Sequence, residues 1–145
     1  MKKPKLKNWI VFIAFISAAF YFSDLLNVFL KKETTEQKLI AVANEINKKL
    51  PVMVDDTTRL NQVKSDGKML SYKYTVTNIR VTEMSKENVD EFKEQMYVIL
   101  KNGICNSKIA SVLNDGASFK YIYYDTKDVE IASLSISRAD CDVSP

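Results

Sequence analysis

Any chemistry performed by this chain must do without histidine, since none occurs among its 145 residues. That removes the commonest general base and metal ligand, and with them the Ser-His-Asp and Cys-His mechanisms. Ser65-Asp66-Gly67-Lys68 matches the S-x-x-K pattern of serine–lysine acyl transfer. Those enzymes bring the two side chains together across one helical turn. Asp-Gly is instead the dipeptide of a tight hairpin, so the tetrapeptide reads as a turn. Asp55 with Asp56, Asp125 with Asp128, and Asp140 with Asp142 are carboxylate pairs of the type used for metal or acid–base work. None has calcium-loop spacing, and all fall in predicted turns or in the tail, where aspartate is ordinary. Three glycines leave no phosphate-binding loop. The sequence therefore predicts no catalytic residues, no cofactor and no metal site, and the protein reads as a non-enzyme.

Two residue types remain. Cys105 and Cys141 are the two cysteines, and in an oxidising compartment one bridge between them is the natural reading. The tyrosines form a constellation: Tyr72 and Tyr74 share one strand face, as do Phe119, Tyr121 and Tyr123, with Tyr124 opposite. Tyrosine suits an interface because it offers large area with a polar tip. It is also a good strand former that sits well in or around a core. Tyr72, Tyr74, Tyr121 and Tyr123 are thus either core residues or a partner-binding face.

The elements that must position these residues follow from periodicity. Glu33 to Leu50 predicts a helix, capped by Thr34 or Thr35, with Leu39, Val42, Ala43, Ile46 and Leu50 as its apolar stripe and Pro51 as its stop. Arg59 to Lys64 is a weak strand, and Met69 to Val81 a clearer one, with Leu70, Tyr72, Tyr74 and Val76 on one side. Ser85 caps a helix running to about Asn102, with Val89, Phe92, Met96, Ile99 and Leu100 inward and Gly103 as terminator. A short helix follows over Ser107 to Leu113. Phe119 to Tyr124 and Val129 to Ser137 make a second hairpin, with a phase change near Ile131 that calls for a β-bulge. The order α-β-β-α-α-β-β implies an α+β domain: one antiparallel sheet of about four strands with helices on one face.

Residues 1–30 have a different character. Lys2, Lys3, Lys5 and Lys7 precede an apolar run from Trp9 to Leu30, broken by Ser23 and Asp24. Roughly 20 apolar residues span a bilayer as a helix, so this segment reads as a transmembrane signal anchor, with the lysines cytoplasmic and Trp9 at the interface. Asp24 would then lie near the outer end, where an ionisable side chain costs little. The alternative is a cleaved signal peptide, processed after Ala19. The remaining domain, 31–145, carries 17 basic and 17 acidic groups. Its neutrality argues against nucleic acid as partner and predicts a surface of mixed sign.

Taken together, LPVMVDDTTRL, SYKYTVTN, LKNGICN, YIYYD and IASLSI, ending near a cysteine, resemble a group of small, mostly uncharacterised bacterial proteins. These have a hydrophobic N-terminus and one exported α+β domain, and the resemblance covers roughly Leu50 to Cys141. More loosely, the chain is similar to the small disulfide-containing pilotins that assist secretin assembly. Those carry a lipidated cysteine, which this chain lacks. The resemblance implies no active-site residues and reinforces the disulfide. The expectation is a single-pass protein of the bacterial inner membrane, its domain in the periplasm, that interacts with the bilayer and another envelope protein in assembling a complex. The other readings are an immunity protein against a periplasm-acting toxin, marked by a concentrated single-sign patch, and an enzyme using carboxylates and tyrosines.

Overall fold

The computed structural model describes residues 32–142. The expected anchor, its Asp24 and the cleavage site after Ala19 lie outside the described residues. Among those described, no helix is long and apolar enough to cross a membrane.

Helix α1, Thr35–Asn47, starts on a capping box: the Thr34 hydroxyl accepts from the Gln37 amide at 3.2 Å, and Gln37 accepts in return from the Thr34 amide at 3.1 Å. Its stripe Leu39, Val42, Ala43 and Ile46 is buried. The strands follow as β1 (Val52–Met53), β2 (Thr58–Asp66) and β3 (Met69–Val76), the last two joined at Gly67, whose φ of 58° supplies the left-handed turn. A single 3-10 turn, Val81–Glu83, leads to helix α2, Lys86–Cys105, capped by Ser85. Then come α3 (Ala110–Asn114), β4 (Ser118–Tyr124), β5 (Glu130–Ile136) and a short α4 (Arg138–Cys141).

The architecture is α+β, as expected, but the sheet differs in two respects. It has five strands in the order β1-β2-β3-β4-β5, and it is mixed rather than antiparallel. β3 and β4 pair in parallel, Tyr72 against Tyr121 and Tyr74 against Tyr123. The reason is the connection: α2 and α3 occupy the chain between β3 and β4, and such a crossover returns it to the end where β3 began. The sheet is therefore two antiparallel hairpins welded along a parallel seam.

Further differences are local: α1 ends at Asn47 rather than Leu50, and β3 at Val76 rather than Val81. Gly103 does not end α2, which continues to Cys105. Mid-helix glycine costs about 1 kcal/mol. The penalty is met because Leu100 and Ile104, one turn apart, are both buried, and Cys105 is tied to the C-terminal helix. The short helix begins at Ala110 rather than Ser107. The bulge in the second hairpin is where the phase change placed it. Tyr123 pairs with Ala132 and Tyr124 with Glu130, leaving Ile131 as the extra residue, and both Ile131 and Ala132 are buried. A second bulge, unsignalled in the sequence, falls at Asn61.

The helices lie on one side of the sheet, α1 packed on β2 and α2 on β5. The core sits between them, with Leu60, Val63, Leu70, Phe119 and Ile136 almost wholly withdrawn from solvent.

Candidate functional site

The strand registers sort the side chains into rows across the sheet. On the helix side, Leu60, Tyr74, Tyr123 and Ala132 form one row, and Val63, Tyr72, Tyr121 and Leu134 the next. The tyrosines meet across the parallel seam: Tyr72 stacks on Tyr121 with centroids 5.1 Å apart, and Tyr74 on Tyr123 at 5.0 Å. Phe92 of α2 closes the end of the stack edge-on to Tyr123 at 5.5 Å. Stacked and T-shaped pairs of this kind add about 0.5–1.5 kcal/mol each beyond their burial.

Of the two readings open for these four tyrosines, core residues or a partner-binding face, the structure gives the core for three. Tyr74, Tyr121 and Tyr123 are 6%, 6% and 4% exposed, so they belong to the core. Only Tyr72 is half-buried at its rim. The helix layer on this side of the sheet is what covers them. Burial raises the hydroxyl pKa of all four, most strongly for Tyr74 and Tyr121, where neighbouring tyrosines add to it.

Of the paired carboxylates, Asp55, Asp125 and Asp140 are committed to structure. Asp125, 1% exposed, accepts from the Val81 amide at 3.0 Å and from the Lys127 and Val129 amides at 2.8 and 3.0 Å. It thereby pins the β4–β5 turn to the segment before α2. The Val81 hydrogen bond, with those from Val129 and Lys127 and the Arg80 charge, holds its pKa below the usual value against the opposing effect of burial. Asp55 accepts from the Thr57 and Thr58 amides, both at 2.7 Å, and its Oδ2 is buried with no partner among the described residues. Asp140 receives the Tyr97 hydroxyl and the Ser137 amide, and these overcome the effect of burial to lower its pKa. Asp142 lies 3.6 Å from Arg138. Ser65 and Lys68 flank the Gly67 turn, and the Lys68 ammonium donates to the Asp115 carbonyl at 3.0 Å. No group of three or more metal-ligating side chains forms among the described residues.

Cys105 and Cys141 are bridged, with Cα atoms 5.4 Å apart. The bond fastens the end of α2 to α4, one residue away from Asp140 and its hydrogen bond to Tyr97.

The side of the sheet away from the helices is open; the sequence offers an exposed sheet face or edge for a partner, but its cations were not singled out. Its rows read Lys64–Ser71–Lys120–Ser135, Gln62–Lys73–Ile122–Ser133 and Arg59–Thr75–Tyr124–Glu130. The Lys73 ammonium sits 4.8 Å from the Tyr124 ring centroid. Arg59 donates to Asn61, which donates to Thr75, each at 2.7 Å. Arg59, Lys64, Lys73 and Lys120 form no ion pair with another described residue. The net charge of zero predicted a mixed surface, yet the fold gathers cations here. The signal was available in the alternate phase of the same strands that revealed the tyrosines.

Comparisons with known proteins place this geometry. A Pseudomonas aeruginosa protein described as secreted superposes with a TM-score of 0.60 at 15% identity, over 74% of this chain and 92% of that one. A pilotin of the Vibrio vulnificus type II secretion system gives 0.57 at 10% identity, over 76% and 94%. A type II secretion pilotin from Vibrio cholerae gives 0.50 at 15% identity, over 74% and 92%. At these identities the likeness is one of fold. In sequence, "Protein K" of Escherichia coli is 38% identical over 66 residues, 46% of this chain; the match spans 34% of that protein's length. Residues 34–132, from the cap of α1 to the bulge of β5, match the family described as Domain of unknown function (DUF8479), and the chain belongs to that family.

Proposed function

We propose that this protein is a non-enzymatic accessory factor of a bacterial envelope or secretion complex. In this reading it is held at the inner membrane by residues 1–30, its domain faces the periplasm, and it works by binding another envelope protein. The observation that carries the reading is the likeness of the domain to two type II secretion pilotins over 94% and 92% of their length. The disulfide fits an oxidising compartment. The engagement of Asp125 and Asp140 in backbone and tyrosine hydrogen bonds fits a scaffold rather than a catalyst. The pilotin-like role would here use an apolar segment in place of a lipidated cysteine.

The test is crosslinking in intact cells with residues 1–30 retained, followed by non-reducing purification. One reproducible envelope protein recovered with the chain supports the role; recovery of the chain alone counts against it. A second reading, an immunity protein against a periplasm-acting toxin, is favoured by one observation, the concentration of one charge sign on the open sheet face. Protection of cells expressing the chain from such a toxin would select it over the accessory role.

A further inference from the structure

From the open sheet face we infer that this surface docks an acidic segment of a protein partner, its carboxylates meeting Arg59, Lys64, Lys73 and Lys120 around Ile122 and Tyr124. The inference rests on the reading of the protein as a partner-binding factor and names the surface and its chemistry.

Charge placement is the first support. Adjacent strands lie about 4.8 Å apart, so Lys64 and Lys120, separated only by Ser71 in their row, face one another at roughly twice that distance, with Lys73 on the strand between them. Like charges so placed repel. No carboxylate within the described residues pairs with any of the four. The acids of this face, Asp66 and Glu130, stand at opposite ends of it, beside Met69 and Tyr124. The described domain has no excess of basic groups to explain the cluster, since four acids, Glu87, Asp90, Glu91 and Glu94, fall on α2 instead. Carboxylates from outside complete the arrangement.

The remaining features select a protein. Of the exposed large apolar side chains Ile40, Met53, Val98 and Val129, Met53 alone stands in a row of this face, at its β1 edge beside Arg59, and none is at its centre. Ile122 and Tyr124 are half-buried and offer no wedge to insert below lipid headgroups. A nucleic acid would want a free aromatic platform, and the Tyr124 ring already carries the Lys73 ammonium. What the face does offer is a half-buried apolar centre, hydroxyls from Ser71, Ser133 and Ser135, and cations around them. That is the complement of a peptide carrying acids beside an apolar residue.

The experiment uses the full chain in a neutral detergent and a fluorescent glutamate-rich amphipathic peptide, with its glutamine counterpart as control. Anisotropy should show binding of the acidic peptide alone, weakened several-fold when salt is raised from about 0.05 to 0.3 M. The charge reversal K64E/K73E/K120E should weaken binding by tenfold or more with the urea midpoint unchanged. The matched reversal K86E/K93E/K108E, on the helix layer, should leave binding intact. Equal binding of the glutamine peptide, or equal loss in both triple variants, overturns the assignment. So does binding of short-chain phosphatidylglycerol or duplex DNA, but not of the peptide, that is lost in K64E/K73E/K120E. Failure here beside a reproducible envelope partner in the intact-cell crosslink removes the sheet face and leaves the accessory role standing.

Discussion

Tyr123 and Tyr124 are neighbours in sequence and occupy opposite worlds in the fold. Tyr123 is 4% exposed, stacked on Tyr74 and met edge-on by Phe92. Tyr124 lies on the open side and holds the Lys73 ammonium over its ring. The same one-residue step separates Tyr121 from Lys120 and Tyr72 from Lys73. One face of these strands is an aromatic core beneath two helices, and the other is an open surface carrying four cations and two acids. Residue type does not decide between core and surface here; the side of the strand does.

The sharpest way to break that contrast is truncation. Tyr123→Ala should lower unfolding free energy by about 4 kcal/mol in urea denaturation, the usual range for deleting a buried aromatic ring. The disulfide secures the helix layer that covers the same face. Replacing Cys105 and Cys141 with serine should cost roughly 3 to 4 kcal/mol by loop entropy, read as a shift in the urea midpoint. It should leave peptide binding to the open face intact once the variant is folded.

The hydroxyls give a spectroscopic version. Because burial raises the pKa of Tyr72, Tyr74, Tyr121 and Tyr123, the stability they contribute is whole below about pH 10 and is lost as pH rises beyond it. An ultraviolet titration should show these four ionising together with loss of structure. Independent titration of all of them near pH 10 would contradict a dry stack. At the acid end the sign reverses: Asp125 and Asp140 have lowered pKa values, so their contribution is whole above about pH 4 and fades as pH falls below it. Asp125→Asn should flatten the acid limb of the stability profile.

The smallest effect belongs to the open face. Tyr124→Ala or Lys73→Ala should change stability by about 1 kcal/mol or less. A loss as large as that for Tyr123→Ala would mean that the outer face is structural too.

Much of this fold was legible in short stretches of sequence. The Thr34 and Ser85 caps, the Asp66-Gly67 turn, the alternation of Leu70 to Val76 and the slip at Ile131 are local signals, and each appears where its residues placed it. The pairing of Cys105 with Cys141 needed only a count. What escaped was nonlocal. Hairpins reveal their own turns but not which strands of two hairpins meet, so the parallel β3–β4 seam could not be read from either. Nor could Gly103 announce that Ile104 and Cys105 would hold the helix past it. β1 is two residues long, too short for alternation to show. The cationic face was hidden by addition, because a sum over the domain discards position.

The parallel seam also sets an order of events. Each hairpin closes between near neighbours in the chain, whereas Met69 finds Ser118 only after the intervening helices have been placed. Contacts so distant in sequence form late, because chain closure must come before any return in bonding. The tyrosine stack straddles that junction, so its ring-current and near-ultraviolet signals should appear after the hairpins and helices have formed. They act as a clock for the final step of assembly.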